Sequence, residues 1–309
     1  MPGDAVRRTP VEKQVQHDDS FFISYPLSLY KLSKTDELMK RYSFLFILTL
    51  LLCKSSIAAV DTVSIYSNSM FKSVKCVVIT PSDYRRSSNR WPVVYLLHGY
   101  SGRYSDWVRR VPDLQNLADE NRLMIVCPDG AFGSWYFDSP VDLTMRYETN
   151  VGVEIPAYID SVYRTIANRK ARAITGLSMG GQGGIFLGFR HADFFGACGS
   201  MSGALDVSQI KSGYNMQKIL GDTLVNKKYY TDLSAINVIE NYPKDSLAII
   251  IDCGTEDRIY QMSKRTHEKM MQLKIPHDYI ERPGKHDWDY WNKAVRYQLL
   301  FFREFFNKG

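Results

Sequence analysis

The chain has 309 residues, 45% of them hydrophobic and 23% charged, and its formal net charge is +6 at pH 7. That charge is modest and no run of lysine or arginine occurs, so the composition argues against a nucleic-acid partner. No group of cysteines and histidines has the spacing of a metal site, and we expect neither a metal nor a cofactor. The sequence contains no internal repeat.

The first predicted element is a secretory signal peptide over residues 39–59. Met39-Lys40-Arg41 is a basic start, residues 42–52 form an apolar core, and residues 55–59 offer small side chains for cleavage. The apolar core is too short to span a bilayer comfortably. We therefore expect a secreted or periplasmic protein without a stable membrane span after cleavage, with its folded domain at residues 60–309.

Residues 1–38 precede this signal and are polar without clear periodicity. We expect them to be a disordered upstream extension that results from a start codon assigned too early. The alternative is a true extension that turns the signal into an uncleaved anchor. Cys53 follows three leucines and resembles a lipoprotein site, but Leu52 stands where a small residue is needed, so lipid anchoring is disfavoured.

The rest of the chain predicts an α/β fold. Residues 61–67 and 73–81 alternate apolar and polar side chains and predict an antiparallel pair of strands. Strands and helices then alternate, which indicates a mostly parallel sheet with helices on both faces. The predicted strands cover residues 93–97, 123–128, 171–177, 196–200, 247–251 and 279–281. The predicted helices cover residues 105–120, 153–165, 180–189 and 263–273, and a closing helix carries an apolar stripe from Trp288 to Phe306.

One short stretch carries most of the chemical information. Gly176-Leu177-Ser178-Met179-Gly180 reads G-x-S-x-G between a predicted strand and a predicted helix. That context is the setting of a nucleophile elbow, in which a sharp turn exposes the serine oxygen and aims the next backbone N–H at the substrate carbonyl. We therefore predict Ser178 as the nucleophile and the Met179 N–H as one oxyanion donor.

A serine nucleophile needs a base and an acid that orients the base. In this type of fold the acid and then the histidine follow the serine along the chain. Only His286 lies in the loop between the last strand and the last helix, so it is the predicted base. Asp252, Glu256 and Asp257 compete for the role of the acid. We favour Asp257 because a preceding glycine lets its loop turn back over the sheet edge, with Asp252 as the alternative.

Two further loops are expected to shape the site. His98-Gly99-Tyr100-Ser101-Gly102 follows a predicted strand in the manner of an oxyanion loop, so the Tyr100 N–H is the second predicted donor. Residues 131–140 follow another strand end, where ligands bind in such sheets. Trp135 in that loop and Trp288 are the predicted substrate-binding residues, although an aromatic plug is an equal interpretation of this loop. The insertion over residues 206–244 is expected to form a small cap.

Four segments of the chain carry a resemblance to a known family. They are Leu96-Leu97-His98-Gly99, residues 176–181, Cys253-Gly254-Thr255-Glu256-Asp257 and Gly284-Lys285-His286-Asp287-Trp288. The chain resembles the α/β-hydrolase esterases that include esterase D, feruloyl and acetyl-xylan esterases, and mycolyltransferases. The resemblance covers about residues 62–309 and implies the α/β-hydrolase fold. It also implies that Asp257 is the acid of the triad.

The predicted function is that of a secreted serine esterase. Short acyl or carbohydrate-linked acetyl and feruloyl esters are the expected substrates, the latter on the resemblance and the predicted export. One alternative is an acyltransferase that moves the acyl group to a sugar hydroxyl. The other is a glycan-binding surface protein without catalysis, against which an intact triad argues. The sequence does not indicate which ester is bound.

Overall fold

The computed structural model describes residues 60–210, 213–243 and 247–308, together with Met39. The predicted extension over residues 1–38, the rest of the predicted signal peptide and Cys53 lie outside these residues. Residues 60–308 belong to one compact unit, Ser56–Gly309. Across the described ranges, no helix is both long enough and apolar enough to cross a membrane.

An eight-stranded sheet forms the centre of this unit, in the order β1-β2-β4-β3-β5-β6-β7-β8. Its strands are β1 (Val60–Ser67), β2 (Lys72–Ile79), β3 (Val93–Leu97), β4 (Met124–Pro128), β5 (Arg172–Gly176), β6 (Ala197–Met201), β7 (Ala248–Gly254) and β8 (Asp278–Arg282). Strand β2 is antiparallel to β1 and β4, and the other pairs are parallel. The predicted antiparallel pair and the predicted mostly parallel sheet are both confirmed.

The helices cover both faces of the sheet. They are α1 (Asp106–Arg110), α2 (Leu114–Asn121), α3 (Tyr147–Thr149), α4 (Ile155–Val162), α5 (Met179–Arg190), α6 (Met216–Leu220), α7 (Lys227–Asp232), α8 (Ala235–Val238), α9 (Tyr260–Gln272) and α10 (Trp288–Phe306). The single helix predicted over residues 105–120 is wrong, because the chain leaves the helical conformation at Val111. Pro112 explains the break, since a proline disfavours helical geometry in the residue before it.

The helix predicted over residues 153–165 also differs from the structure. Helix α3 continues through a π-helical turn, Asn150–Glu154, into α4, which ends at Val162. Residues 164–166 instead run beside Trp91, whose N–H donates to the Arg164 carbonyl at 2.9 Å and whose carbonyl accepts from Ile166 at 2.9 Å. The contact with Trp91, which is distant in the sequence, therefore ends this helix. No local sequence pattern indicates that the helix ends here.

Two layers of buried apolar side chains pack against the two faces of the sheet. They hold in place the edge at which the parallel strands end. Every residue of β3, β4, β5 and β6 is buried. The apolar stripe predicted for α10 is confirmed, because Trp291, Val295, Leu299 and Phe302 are all buried in one of these layers. The four cysteines of the described residues are buried and free, as expected for small apolar side chains: Cys76, Cys127, Cys198 and Cys253.

Candidate active site

Ser178 stands at the turn between β5 and α5, as the sequence predicts. Its φ of 55° and ψ of −114° lie in a strained region for a residue with a side chain. The turn is tight, since a Cβ added at Gly180 would lie 2.6 Å from the carbonyl oxygens of Leu97 and His98. Backbone atoms of a buried strand cannot move aside cheaply, so this position requires glycine.

A chain of hydrogen bonds runs from Ser178 through His286 to Asp257. Nε2 of His286 lies 2.9 Å from Oγ of Ser178. Nδ1 of the same ring lies 2.8 Å from Oδ2 and 3.0 Å from Oδ1 of Asp257. The structure therefore brings together the three predicted residues from loops that are 79 and 29 residues apart, in the geometry that nucleophile activation needs.

The three acids left open by the sequence have different surroundings. The side chain of Asp257 is fully buried beside His286, and its Oδ1 also accepts from the Ile259 N–H at 2.9 Å. Asp252 is buried at the end of β7, where Arg282 and the hydroxyl of Tyr290 bind its carboxylate. Glu256 is exposed. Of these carboxylates, that of Asp257 contacts the histidine.

The pKa values of the two buried aspartates, Asp257 and Asp252, shift in opposite directions. Burial raises the pKa of Asp257, but the hydrogen bond and charge of His286 outweigh it, and the net pKa is lowered. Burial also raises the pKa of Asp252, and there Tyr290 and Arg282 do not compensate fully, so the net pKa is raised. Asp257 is thus the carboxylate that is held ionised next to the imidazole.

The two predicted oxyanion donors have no hydrogen-bond acceptor within residues 60–210, 213–243 and 247–308. The Met179 N–H begins α5, where no helical partner exists, and the Tyr100 N–H lies in the loop after β3. The Ser101 N–H next to it donates to the Phe132 carbonyl at 2.7 Å, which ties this loop to the following one. Both N–H groups are therefore available to a substrate oxygen.

His98 stabilises the loop after β3 through hydrogen bonds of both its ring nitrogens. Its Nε2 accepts from the Gly130 N–H at 2.7 Å, so its Nδ1 carries the proton and donates to the Gly99 carbonyl at 2.8 Å. The ring is buried, and burial lowers the pKa of His98. A neutral imidazole thus joins the loops that follow β3 and β4.

A cavity of about 440 Å³ opens above Ser178. Both predicted substrate-binding residues, Trp135 and Trp288, lie in its wall. Trp135 is almost fully buried, and its Nε1 donates to the Tyr214 carbonyl at 2.8 Å, so it is held rigidly. Trp288 packs edge to face against Trp107 and Trp291, with ring centroids 5.2 and 5.4 Å apart.

The insertion over residues 206–244 contributes to the same wall. Ile210 and Tyr214 line the cavity, and the Tyr214 ring packs against Tyr100 at 5.1 Å. Met216 and Tyr230 are instead buried in the core. The insertion carries α6, α7 and α8, and residues 211–212 and 244 are outside the described residues, so the small cap stays a prediction.

Sequence reasoning missed several residues of the cavity. Trp291 lies against the His286 ring with centroids 4.9 Å apart, whereas its spacing in the sequence indicates only a place in the apolar stripe. Arg110 and Arg258 also line the cavity. The position of Arg258 next to the predicted acid is a signal in the sequence that could have placed it near the site. Arg110 lies at the cavity because α1 ends there, which the sequence does not indicate.

Comparison with known proteins places this chain in a family. The profile of the family described as "Putative esterase" matches residues 67–302. The chain belongs to this family. An acetyl esterase of Caldicellulosiruptor saccharolyticus is 27% identical over 258 residues, which cover 77% of this chain and 95% of the relative. This chain is therefore an esterase, an enzyme that hydrolyses carboxylic esters.

Two further comparisons describe the fold and the range of relatives. The structure of a ferulic acid esterase superposes on the esterase with a TM-score of 0.69 at 27% identity, covering 80% of this chain and 97% of that one. This likeness confirms the α/β-hydrolase fold. A diacylglycerol acyltransferase/mycolyltransferase (Ag85B) of Mycobacterium leprae is 30% identical over 163 residues, or 48% of this chain and 46% of the relative.

Proposed function

We propose that the esterase hydrolyses short acyl esters or carbohydrate-linked acetyl and feruloyl esters through a covalent acyl-enzyme on Ser178. The observation that carries this proposal is the unbroken hydrogen-bond chain from Ser178 through His286 to Asp257 at the floor of the cavity. Each member of the chain has a distinct task in acyl transfer.

Acylation begins when Oγ of Ser178 attacks the ester carbonyl carbon. Nε2 of His286 takes the hydroxyl proton, and the carboxylate of Asp257 stabilises the imidazolium that forms. The carbonyl oxygen becomes an oxyanion, which the N–H groups of Met179 and Tyr100 bind. Each such donor stabilises the transition state by about 3 kcal/mol. The intermediate then collapses, and the leaving alcohol takes the proton from His286.

Deacylation repeats these steps with water as the nucleophile. His286 removes a proton from the water as it attacks the acyl carbon, and the same two N–H groups bind the new oxyanion. Collapse releases the carboxylic acid and returns the proton to Oγ of Ser178. Asp257 keeps Nδ1 protonated throughout, so Nε2 stays free to accept a proton in both halves of the reaction.

The proposed substrate class rests on the relatives and on the cavity wall. One relative is named an acetyl esterase and one similar structure a ferulic acid esterase. Trp135, Tyr214 and Trp288 give the cavity flat aromatic surfaces that fit a sugar ring or an aromatic acid. A volume of about 440 Å³ is within the range of small-molecule sites.

The test of this proposal is turnover by the full chain and by Ser178→Ala. The substrates are 4-nitrophenyl acetate, 4-nitrophenyl butyrate and methyl ferulate. We expect the substitution to lower kcat by roughly a thousandfold or more, because the nucleophile is lost. Equal turnover by the two proteins, or none by a folded wild type, would overturn the proposed function.

A second candidate function is acyl transfer to a sugar hydroxyl. The similarity to a protein named a mycolyltransferase favours it, over about half of this chain. The acyl-enzyme is the same, and only the second nucleophile differs. Product analysis with an added acceptor sugar separates the two functions, since an acylated sugar forms only in transfer.

We further propose that the esterase is exported. The support is the basic, apolar and small-residue order of residues 39–59 in the sequence. Mass spectrometry of the protein from the producing cell tests this, and a mature chain that begins at residue 60 is expected. A chain that keeps residues 39–59 and remains inside the cell would contradict it.

A further inference from the structure

Two arginine side chains in the wall of the cavity have no carboxylate partner within residues 60–210, 213–243 and 247–308. They are Arg110, the last residue of α1, and Arg258, which directly follows the proposed acid of the triad. Other arginines of this domain do pair with carboxylates, including Arg172 with Asp160 and Arg190 with Glu148. The cavity therefore contains two positive groups that the protein itself leaves uncompensated.

The carboxylate in the cavity wall, that of Asp106, does not neutralise them. Its Oδ2 accepts from the Arg103 N–H at 3.1 Å, and its Oδ1 lies 3.9 Å from a guanidinium nitrogen of Arg109. Near the floor, the carboxylate of Asp257 pairs with the imidazole of His286 and with neither arginine. Two unpaired guanidinium groups thus line the cavity, and most of the other residues in its wall are aromatic or aliphatic.

We propose that the physiological substrate is an ester that also carries a carboxylate, which Arg110 and Arg258 bind. This inference rests on the proposed function and names its substrate more closely. Arginine stays protonated at any physiological pH and offers a planar fork of N–H donors that matches a carboxylate. Both arginines are exposed, so the pair is partly solvated and its contribution to binding is modest.

The carboxylate belongs either to the acyl group or to the alcohol, and matched ester pairs distinguish the two. For the acyl side, mono-4-nitrophenyl succinate is compared with 4-nitrophenyl butyrate. For the alcohol side, 4-acetoxybenzoate is compared with its methyl ester. The full chain is assayed with each ester, and the quantity measured is the ratio of kcat/KM between the charged and the neutral member of each pair.

We expect Arg110→Gln and Arg258→Gln each to lower this ratio about two- to fivefold in one of the two pairs, mainly through KM. Raising the salt concentration lowers the ratio of the wild type in the same pair, because ions screen the attraction. Arg86→Gln is the control for net charge. Arg86 lies in the turn after β2, its side chain is not in the cavity wall, and the ratio is expected to stay unchanged.

The outcomes separate this inference from the function on which it rests. If the wild type hydrolyses neutral esters and both arginine variants keep the wild-type ratio in both pairs, the inference is overturned and the esterase proposal stands. An equal fall with Arg86→Gln would also overturn it, since net charge would then explain the effect. If a folded wild type hydrolyses none of the four esters, the proposed function itself fails.

Discussion

Replacing Asp257 with asparagine changes one buried atom and tests the proposed triad directly. Oδ1 of Asp257 accepts from the Ile259 N–H at 2.9 Å, so the amide oxygen of the new residue takes this place. The amide nitrogen then falls where Oδ2 lies, 2.8 Å from Nδ1 of His286. Nδ1 also lies 3.0 Å from the amide oxygen, but an N–H donor at 2.8 Å opposes a proton on Nδ1, so we expect the imidazole to move its proton to Nε2 and to donate to Ser178.

In that tautomer His286 has no free lone pair with which to remove the serine proton. A comparable change in a serine protease lowers kcat by about 10⁴, equivalent to about 5 kcal/mol of lost transition-state stabilisation. We expect a fall of this size for Asp257→Asn in the hydrolysis of 4-nitrophenyl butyrate. The melting temperature should also fall by several degrees, because the buried charge that pairs with His286 is lost although the two side chains have nearly the same shape.

Asp252→Asn is the matched control, because Asp252 is equally buried but binds Arg282 and Tyr290. Its kcat/KM should stay within about fivefold of wild type. Its melting temperature should fall by several degrees, since weakening a charged, buried hydrogen-bond pair costs about 1 to 3 kcal/mol. A folded Asp257→Asn that keeps more than a tenth of the activity would refute the reasoning, as would a folded Asp252→Asn that loses a thousandfold.

Two further predictions concern stability. Gly180→Ala should lower the melting temperature by roughly 3 to 10 °C and reduce kcat, because the new methyl group meets the carbonyl oxygen of Leu97 at 2.6 Å. A variant that melts at the wild-type temperature would contradict this prediction. Burial and the neighbouring His277 lower the pKa of His267, so its stabilising contribution is present above about pH 6.5 and is lost as the pH falls. Calorimetry between pH 8 and 5 should therefore show a smaller loss of stability for His267→Gln than for wild type, and parallel curves would refute it.

Local sequence patterns were sufficient for most of the sheet and for the elbow. A buried parallel strand has to be apolar on both faces, and β3 shows this without reference to the rest of the chain. The elbow is also visible in the sequence through its glycines, although the atoms that exclude a side chain at Gly180 belong to Leu97 and His98, in a distant segment. The same reasoning failed for residues 105–120, where Pro112 divides the helix, a signal present in the sequence but overlooked.

What the sequence by itself determined is the order of most of the elements, and it also predicts Ser178 as the nucleophile and His286 as the base, because each of these depends on the few residues around it. It left Asp252, Glu256 and Asp257 as competing acids, and only the tertiary structure decided which carboxylate contacts His286. The sequence also did not indicate which residues form the wall of the cavity. Arg110, Tyr214 and Trp291 come from distant segments, and their meeting around Ser178 depends on how the helices and the insertion pack over the edge of the sheet.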